Sequence, residues 1–204
     1  MIGHQTRIPA SRVEALLQHE VGTHVLTYFN GRAQPFQQLY TGLAGYEELQ
    51  EGLAVLAEYL VGGLSRPRLR LLAGRVVAAR CLIEGATFIE TFRELTRTYG
   101  FGQRTAFTMT VRIYRSGGLT KDAVYLRGLI GVLDYLKKGG KLEPLFVGKI
   151  MGDHIPIIQE LQARQVLRPV PLRPRYMDQL QTTQRLERLR NGLTVLDLSE
   201  RRKK

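Results

Sequence analysis

The stretch HEVGTH at residues 19–24 places two histidines and a glutamate within one predicted helix. Two imidazoles with a carboxylate beside the first are the parts of a zinc hydrolase site. The histidines bind the metal, and the glutamate accepts a proton from the water that the metal activates. The usual spacing is HExxH, which puts the histidines four residues apart on one helix face. Here they are five residues apart, as HExxxH, so this pattern is by itself a weak indication of a metal.

The five-residue spacing also makes a prediction about the backbone. On a regular α-helix, with about 100° of rotation per residue, the two rings would point about 140° apart. A local π-helical turn would return them to one side, and such turns are frequent at functional sites. We therefore predict that the helix departs from α geometry between His19 and His24, with Gly22 accommodating the distortion.

A second motif, QEGLA at residues 50–54, offers a third ligand on the next predicted helix. Zinc hydrolases of this kind need a further ligand, commonly a glutamate, and Glu51 follows in the required order. The alternative is that Glu51 is one more acid near the start of a helix, like Glu47 and Glu48, where the helix dipole favours carboxylates. The presence of both motifs favours the ligand. Glu58, on the same face as Glu51, could hold a ligand histidine from behind or be a surface acid.

Helical periodicity dominates the chain and predicts a mainly α fold with little β structure. Ser11 and Glu14 form a capping-box pattern at the start of the histidine helix, which is predicted to end at Asn30-Gly31. Its apolar residues are expected to face those of the QEGLA helix. The segment at 105–115 fits helix or strand. The other predicted elements are helices near 46–60, 68–98 (one or two), 120–136 and 155–164, and a short strand at 145–150.

Composition limits the class of protein. The 204 residues are 44% hydrophobic, as in an ordinary folded domain, and 30 Lys+Arg against 18 Asp+Glu give a net charge of +12. The single cysteine, Cys81, cannot form an internal disulfide, and no apolar run reaches the roughly 18 residues of a membrane span. The N-terminus lacks a signal-peptide pattern, so we expect a soluble, cytoplasmic chain with no membrane partner. The dispersed charges and the lack of a recognisable binding motif argue against nucleic acid as a partner.

Together, the two motifs resemble the tyrosine carboxypeptidase family, which includes microtubule-associated, detyrosinating enzymes. Its bacterial members are often described as QEGLA-motif proteins or flavohaemoglobin expression modulators. Two further stretches are similar to the family: VRIYRSGGLTKDAVYLRG at 111–128 and LFVGK at 145–149. The resemblance covers about residues 10–175 and implies a zincin-like helical domain. It also implies Zn²⁺ bound by His19, His24 and Glu51, with Glu20 as the general base.

The resemblance has consequences for domain organisation. It implies a catalytic zinc-peptidase-like domain over residues 1–175, followed by a charged C-terminal helix or tail over 176–204. Family members carry a substantial region before the histidine helix, whereas only about ten residues precede it here. We therefore expect the domain to lack its N-terminal part.

The activity implied by the resemblance is removal of a C-terminal tyrosine or phenylalanine from a peptide or protein, by metal-activated water. Such an enzyme must bind a terminal carboxylate, which a bidentate arginine does best. A tyrosine or a cation could also stabilise the oxyanion. Arg112 and Tyr125 are the favoured candidates. The full candidate set in the family-like stretch is Arg112, Arg115, Lys121 and Tyr125.

Two other function classes remain open. Two histidines and one carboxylate can form the facial triad of a non-haem iron enzyme, although a carboxylate directly beside the first ligand favours hydrolysis. The chain could also be a catalytically inactive or regulatory QEGLA-motif protein. Metal analysis separates iron from zinc, and a peptidase assay separates an enzyme from a regulator.

Overall fold

The computed structural model describes residues 7–115 and 119–199. Among these residues there are helices, turns and connecting segments but no strands, which confirms the mainly helical fold. Gly117-Gly118, a pair that favours a turn, and the end of the predicted tail, residues 200–204, lie outside the described residues. None of the described helices is both long enough and apolar enough to cross a membrane.

The chain divides into two compact units. The first unit comprises Met1–Leu64 and Gly128–Lys204, and the second comprises Ser65–Arg127. No observation tests the border predicted near residue 175, which stays a prediction.

The first unit contains the predicted histidine and QEGLA helices. The histidine helix consists of α1 (Ala10–His19), a π-helical segment (Glu20–Val25) and α2 (Leu26–Arg32). The QEGLA helix is α4 (Tyr46–Leu60), whose predicted bounds are confirmed. Helix α8 (Leu119–Lys137) begins in the second unit and ends in the first. The remaining elements are α3 (Gln38–Thr41), α9 (Ile155–Ala163), α10 (Leu180–Arg190), and 3₁₀ turns at Glu143–Phe146, Gly152–His154, Arg175–Asp178 and Asp197–Ser199.

The second unit is built from α5, α6 and α7 around its own small core. These helices are α5 (Arg66–Ile83), α6 (Phe88–Arg93), which continues into a π-helical segment (Glu94–Thr98), and α7 (Gln103–Tyr114). The segment 68–98, for which one helix or two remained open, is divided near Gly85, whose φ of 84° favours glycine. The undecided segment at 105–115 is helical. The core comprises Ala78, Ala79, Leu95, Ala106, Met109 and Ile113.

Helix α4 is the buried centre of the first unit. From Leu49 to Leu60 every residue except Tyr59 is buried. Close helix contact explains one of its glycines: a Cβ on Gly52 would lie 2.1 Å from the carbonyl carbon of Gly128 in α8. Both positions therefore require glycine, because any side chain would force the two backbones apart.

The histidine helix packs on α4 through small and polar side chains, which corrects the prediction of facing apolar stripes. The packed face is formed by Ala15, His19, Thr23 and Thr27, all of them buried. The apolar series Val13, Leu17, Val21, Val25 and Phe29 is instead 43–51% exposed. Small residues on the packed face allow the close approach that brings two histidines to a glutamate on the neighbouring helix.

Three local predictions were also wrong. Helix α1 begins after Pro9, so Ser11 lies inside its first turn and makes no cap. The helix continues past Asn30-Gly31 to Arg32. The strand predicted at 145–150 is a 3₁₀ turn followed by bends. The backbone of Lys149 donates one hydrogen bond to Leu39 and accepts one from Leu43, but these two bonds do not form a strand ladder.

Candidate metal centre

Three side chains from the two motifs converge in the first unit. Ligand atoms of His19, His24 and Glu51 all lie within 4.8 Å of one another. Glu51 Oε2 is 3.4 Å from His19 Nε2 and 3.6 Å from His24 Nε2. The two imidazole rings stand edge to face, with centroids 5.2 Å apart. Two nitrogens and one carboxylate oxygen therefore face a common point.

The convergence depends on the π-helical segment at Glu20–Val25. This segment confirms the predicted departure from α geometry between the histidines. The wider turn absorbs the extra residue of the HExxxH spacing, so that both rings reach the same side of the helix. The helix then returns to α geometry at Leu26.

Each histidine also makes a polar contact through its other ring nitrogen, Nδ1. His19 Nδ1 lies 3.0 Å from Glu58 Oε1 in a buried contact. His24 Nδ1 lies 3.4 Å from Gln50 Oε1, which also accepts a 2.8 Å hydrogen bond from the Thr27 hydroxyl. When a ring is neutral and donates through Nδ1–H, its Nε2 lone pair faces the point shared with Glu51 and is available to a cation.

The electrostatics of the centre correspond to a cation site. Burial alone lowers the pKa of His19, but hydrogen bonds to Glu51 and Glu58 outweigh it and raise that pKa to about 9. Burial alone raises the pKa of Glu51, but hydrogen bonds and charges from the two histidines bring it well below its ordinary value. In the metal-free chain, a proton on His19 thus supplies the positive charge between these carboxylates, and a bound divalent cation would replace that proton.

Glu51 carries a further sign of a ligand. Its Oε2 is buried and faces the Nε2 atoms of both histidines. The two Nε2 contacts, at 3.4 and 3.6 Å, are longer than ordinary N–H···O bonds. A buried carboxylate oxygen at these distances from two imidazole nitrogens leaves room for a cation among the three atoms, so Glu51 Oε2 fits the place of a metal ligand.

Glu20 lies at the start of the π-helical segment, directly after His19. Its side chain is exposed, whereas Glu51 and Glu58 are buried. Of these three carboxylates, Glu20 is therefore the one that solvent reaches freely, as the exchange of protons with water requires.

The QEGLA motif is explained position by position. Gln50 orients His24, Glu51 faces both histidines, and Gly52 permits contact with α8, while Leu53 and Ala54 are core residues. The role of Gln50 was missed by sequence reasoning, which treated only Glu51 as functional. The position of Gln50 directly before the candidate ligand Glu51 was the one available signal.

The predicted carboxylate-binding residues lie in the second unit. Arg112 donates through Nε to both oxygens of Asp122, at 2.9 and 2.8 Å, and Asp122 is fully buried. Arg115 and Lys121 are exposed, and Tyr125 is partly buried. Arg112 therefore has a structural partner that sequence reasoning did not consider. Substrate binding by these four residues stays a prediction.

Comparison with known proteins adds one match. A family model described as microtubule-associated tyrosine carboxypeptidase matches residues 1–194, which includes both motifs. A search of curated proteins found no matching relative.

Proposed function

Since the chain belongs to the microtubule-associated tyrosine carboxypeptidase family, we propose that it is a zinc-dependent carboxypeptidase removing a C-terminal tyrosine or phenylalanine. Membership of the family supports carboxypeptidase activity on peptide or protein C-termini. The observation that carries the zinc part of the proposal is the convergence of His19, His24 and Glu51.

The residues present fit zinc. Two imidazole nitrogens and one carboxylate oxygen are a common ligand set of catalytic zinc, which keeps its fourth position for water or substrate. The buried Glu51 oxygen and the oriented histidines support this assignment. When bound, zinc would polarise the scissile carbonyl and make a water molecule more acidic.

The proton transfers are assigned to Glu20. One of its carboxylate oxygens accepts a proton as the water oxygen bonds to the scissile carbonyl carbon. The same carboxylic acid then returns that proton to the nitrogen of the departing tyrosine, as the carbon–nitrogen bond breaks. The exposed position of Glu20 beside His19 supports this role.

The test is tyrosine release from a peptide with a free C-terminal tyrosine and from the same peptide amidated. We expect the free acid to be cleaved, with activity lost to a chelator and restored by zinc. A charge-assisted bond to the carboxylate contributes about 1.5–3 kcal/mol, so amidation should slow cleavage roughly 10- to 150-fold. Equal cleavage of both peptides would indicate an endopeptidase and contradict the proposal. Restoration by ferrous iron but not by zinc would contradict the choice of metal.

A further inference from the structure

We propose that Glu58 and Arg12 are positioning residues that fix His19 as a metal ligand. The inference rests on the proposed function, because it concerns the same metal centre. Neither residue contacts the point that the three ligand atoms face, and both would act through the His19 ring. The motifs that identify the centre do not include either residue.

The geometry is a chain of three side chains, of which His19 and Glu58 are buried. Glu58 is 1% exposed, and its Oε1 lies 3.0 Å from His19 Nδ1. Its other oxygen, Oε2, accepts a 2.9 Å hydrogen bond from Arg12. Arg12 also donates a 2.8 Å bond to the carbonyl oxygen of Gly63, beyond the end of α4. Helices α1 and α4 are thus joined through the same groups that set the His19 ring.

An ionised carboxylate behind a ligand histidine has two effects. It accepts the Nδ1 proton, so the tautomer with a free Nε2 lone pair is favoured, and it makes that nitrogen a better donor to the metal. It also fixes the ring plane. His24 is held less firmly, because its contact is with a neutral amide at 3.4 Å and its side chain is 26% exposed.

Arg12 explains how Glu58 can be ionised in such a place. A buried ionised carboxylate is costly unless a cation offsets its charge. Arg12 lies seven residues before His19, two turns away on the same face of α1, and its guanidinium meets Glu58 at 2.9 Å. Its side chain is 26% exposed, so this end of the chain of contacts can be changed without opening the core.

The experiment compares Glu58→Gln and Arg12→Met with matched controls. Glu47→Gln removes an exposed acid from the same helix α4, and Arg164→Met removes an exposed arginine directly after the end of α9. The zinc dissociation constant is measured by competition with a chelator. The His19 tautomer is read from ¹⁵N chemical shifts of the ring in the zinc-bound protein, and in the zinc-free protein at about pH 10.5, where the ring with its pKa of about 9 is neutral. Thermal unfolding of each variant monitors folding.

We expect Glu58→Gln to weaken zinc binding about 10- to 100-fold and to mix the two tautomers of His19 in the zinc-free protein. Arg12→Met should weaken binding less, on the order of threefold to tenfold, because Arg12 acts only through Glu58. Both controls should bind zinc like the wild type.

The outcomes separate this inference from the proposed function. A wild-type protein that binds zinc no better than His19→Ala would contradict the proposed metal centre itself. If the wild type binds zinc normally but Glu58→Gln matches it in affinity and tautomer, the positioning role alone is overturned. Should Glu58→Gln fail to fold, Arg12→Met decides, since an unchanged affinity and tautomer in that variant would also overturn the inference.

Discussion

Gly52 shows how a residue with no functional group can be required by a functional site. It directly follows the proposed ligand Glu51 in the buried part of α4, and its α-carbon faces the backbone of Gly128. Side-chain volume at this position would separate α4 from α8 and shift Glu51.

We predict that Gly52→Ala lowers the free energy of unfolding by about 1–3 kcal/mol, the usual cost of overpacking. Gly131→Ala is the matched control, because a Cβ there meets nothing within 4 Å and the residue lies in α8. That control should stabilise the protein by about 0.5–1 kcal/mol through its better helix propensity. Urea unfolding measures both variants, and equal effects would show that the close approach of the backbones is unimportant.

At the residue scale, sequence alone predicted the three converging side chains and offered Glu58 as a partner of a ligand histidine, but it did not indicate Arg12 or Gln50. His19, His24 and Glu51 are recognisable because their chemistry and order match a known pattern. Arg12 and Gln50 are not, because their roles arise from contacts with residues 46 and 26 positions away. No local pattern contains such pairings.

At the element scale, the π-helical segment allows one helix both to bring the two histidines to the same side and to place the buried polar residues that follow them against their partners. After the segment, Thr27 bonds Gln50, and Asn30 makes hydrogen bonds of 2.9–3.0 Å to Phe146 and Leu172. A one-residue change in spacing would rotate these side chains by about 100° relative to α1.

Deletion of Val21 tests this dependence, since it shortens HExxxH to the HExxH spacing of a regular helix. We expect the free energy of unfolding to fall by about 3 kcal/mol, because the three Asn30 hydrogen bonds, at about 1 kcal/mol each, are lost. Val21→Ala, at a position 48% exposed, should change stability little. A deletion variant as stable as Val21→Ala would mean that α2 tolerates either register.

Periodicity predicted that these elements are helices but assigned the wrong face of one to the core. The series Val13, Leu17, Val21, Val25 and Phe29 has the spacing of a buried stripe and is nevertheless exposed among the described residues. Spacing shows which residues share a face. Spacing alone cannot show whether that face packs against the core. Here the face that packs against α4 carries small side chains and His19 instead.

At the scale of the whole molecule, the positive charge is concentrated in the second unit. Residues 65–127 contain twelve basic and four acidic residues, so they carry +8 of the net +12. The charges are therefore less dispersed than the composition suggested. Asp122, buried between Arg75 and Arg112, is the one acid in this stretch that is fully buried.

We predict that Arg112→Ala destabilises the protein by about 1–3 kcal/mol, because the buried Asp122 loses a charge-assisted bond. Arg104→Ala, an exposed change on the same helix α7, should have little effect. Denaturant unfolding measures both variants. A loss of stability in Arg112→Ala has to be separated from a loss of substrate binding in any kinetic test of Arg112 as the residue that binds the substrate carboxylate. Unchanged stability of Arg112→Ala would show that its pairing with Asp122 contributes little.

The central claim is that His19, His24 and Glu51 hold a catalytic zinc beside the general base Glu20. Its most direct test measures zinc content and tyrosine release together in the wild type, Glu20→Gln and Glu51→Gln. We predict about one zinc per chain in the wild type and in Glu20→Gln, with cleavage by Glu20→Gln slowed at least about 100-fold. Glu51→Gln should lose both zinc and activity. Full zinc content in Glu51→Gln, or a wild-type rate in Glu20→Gln, would contradict the account.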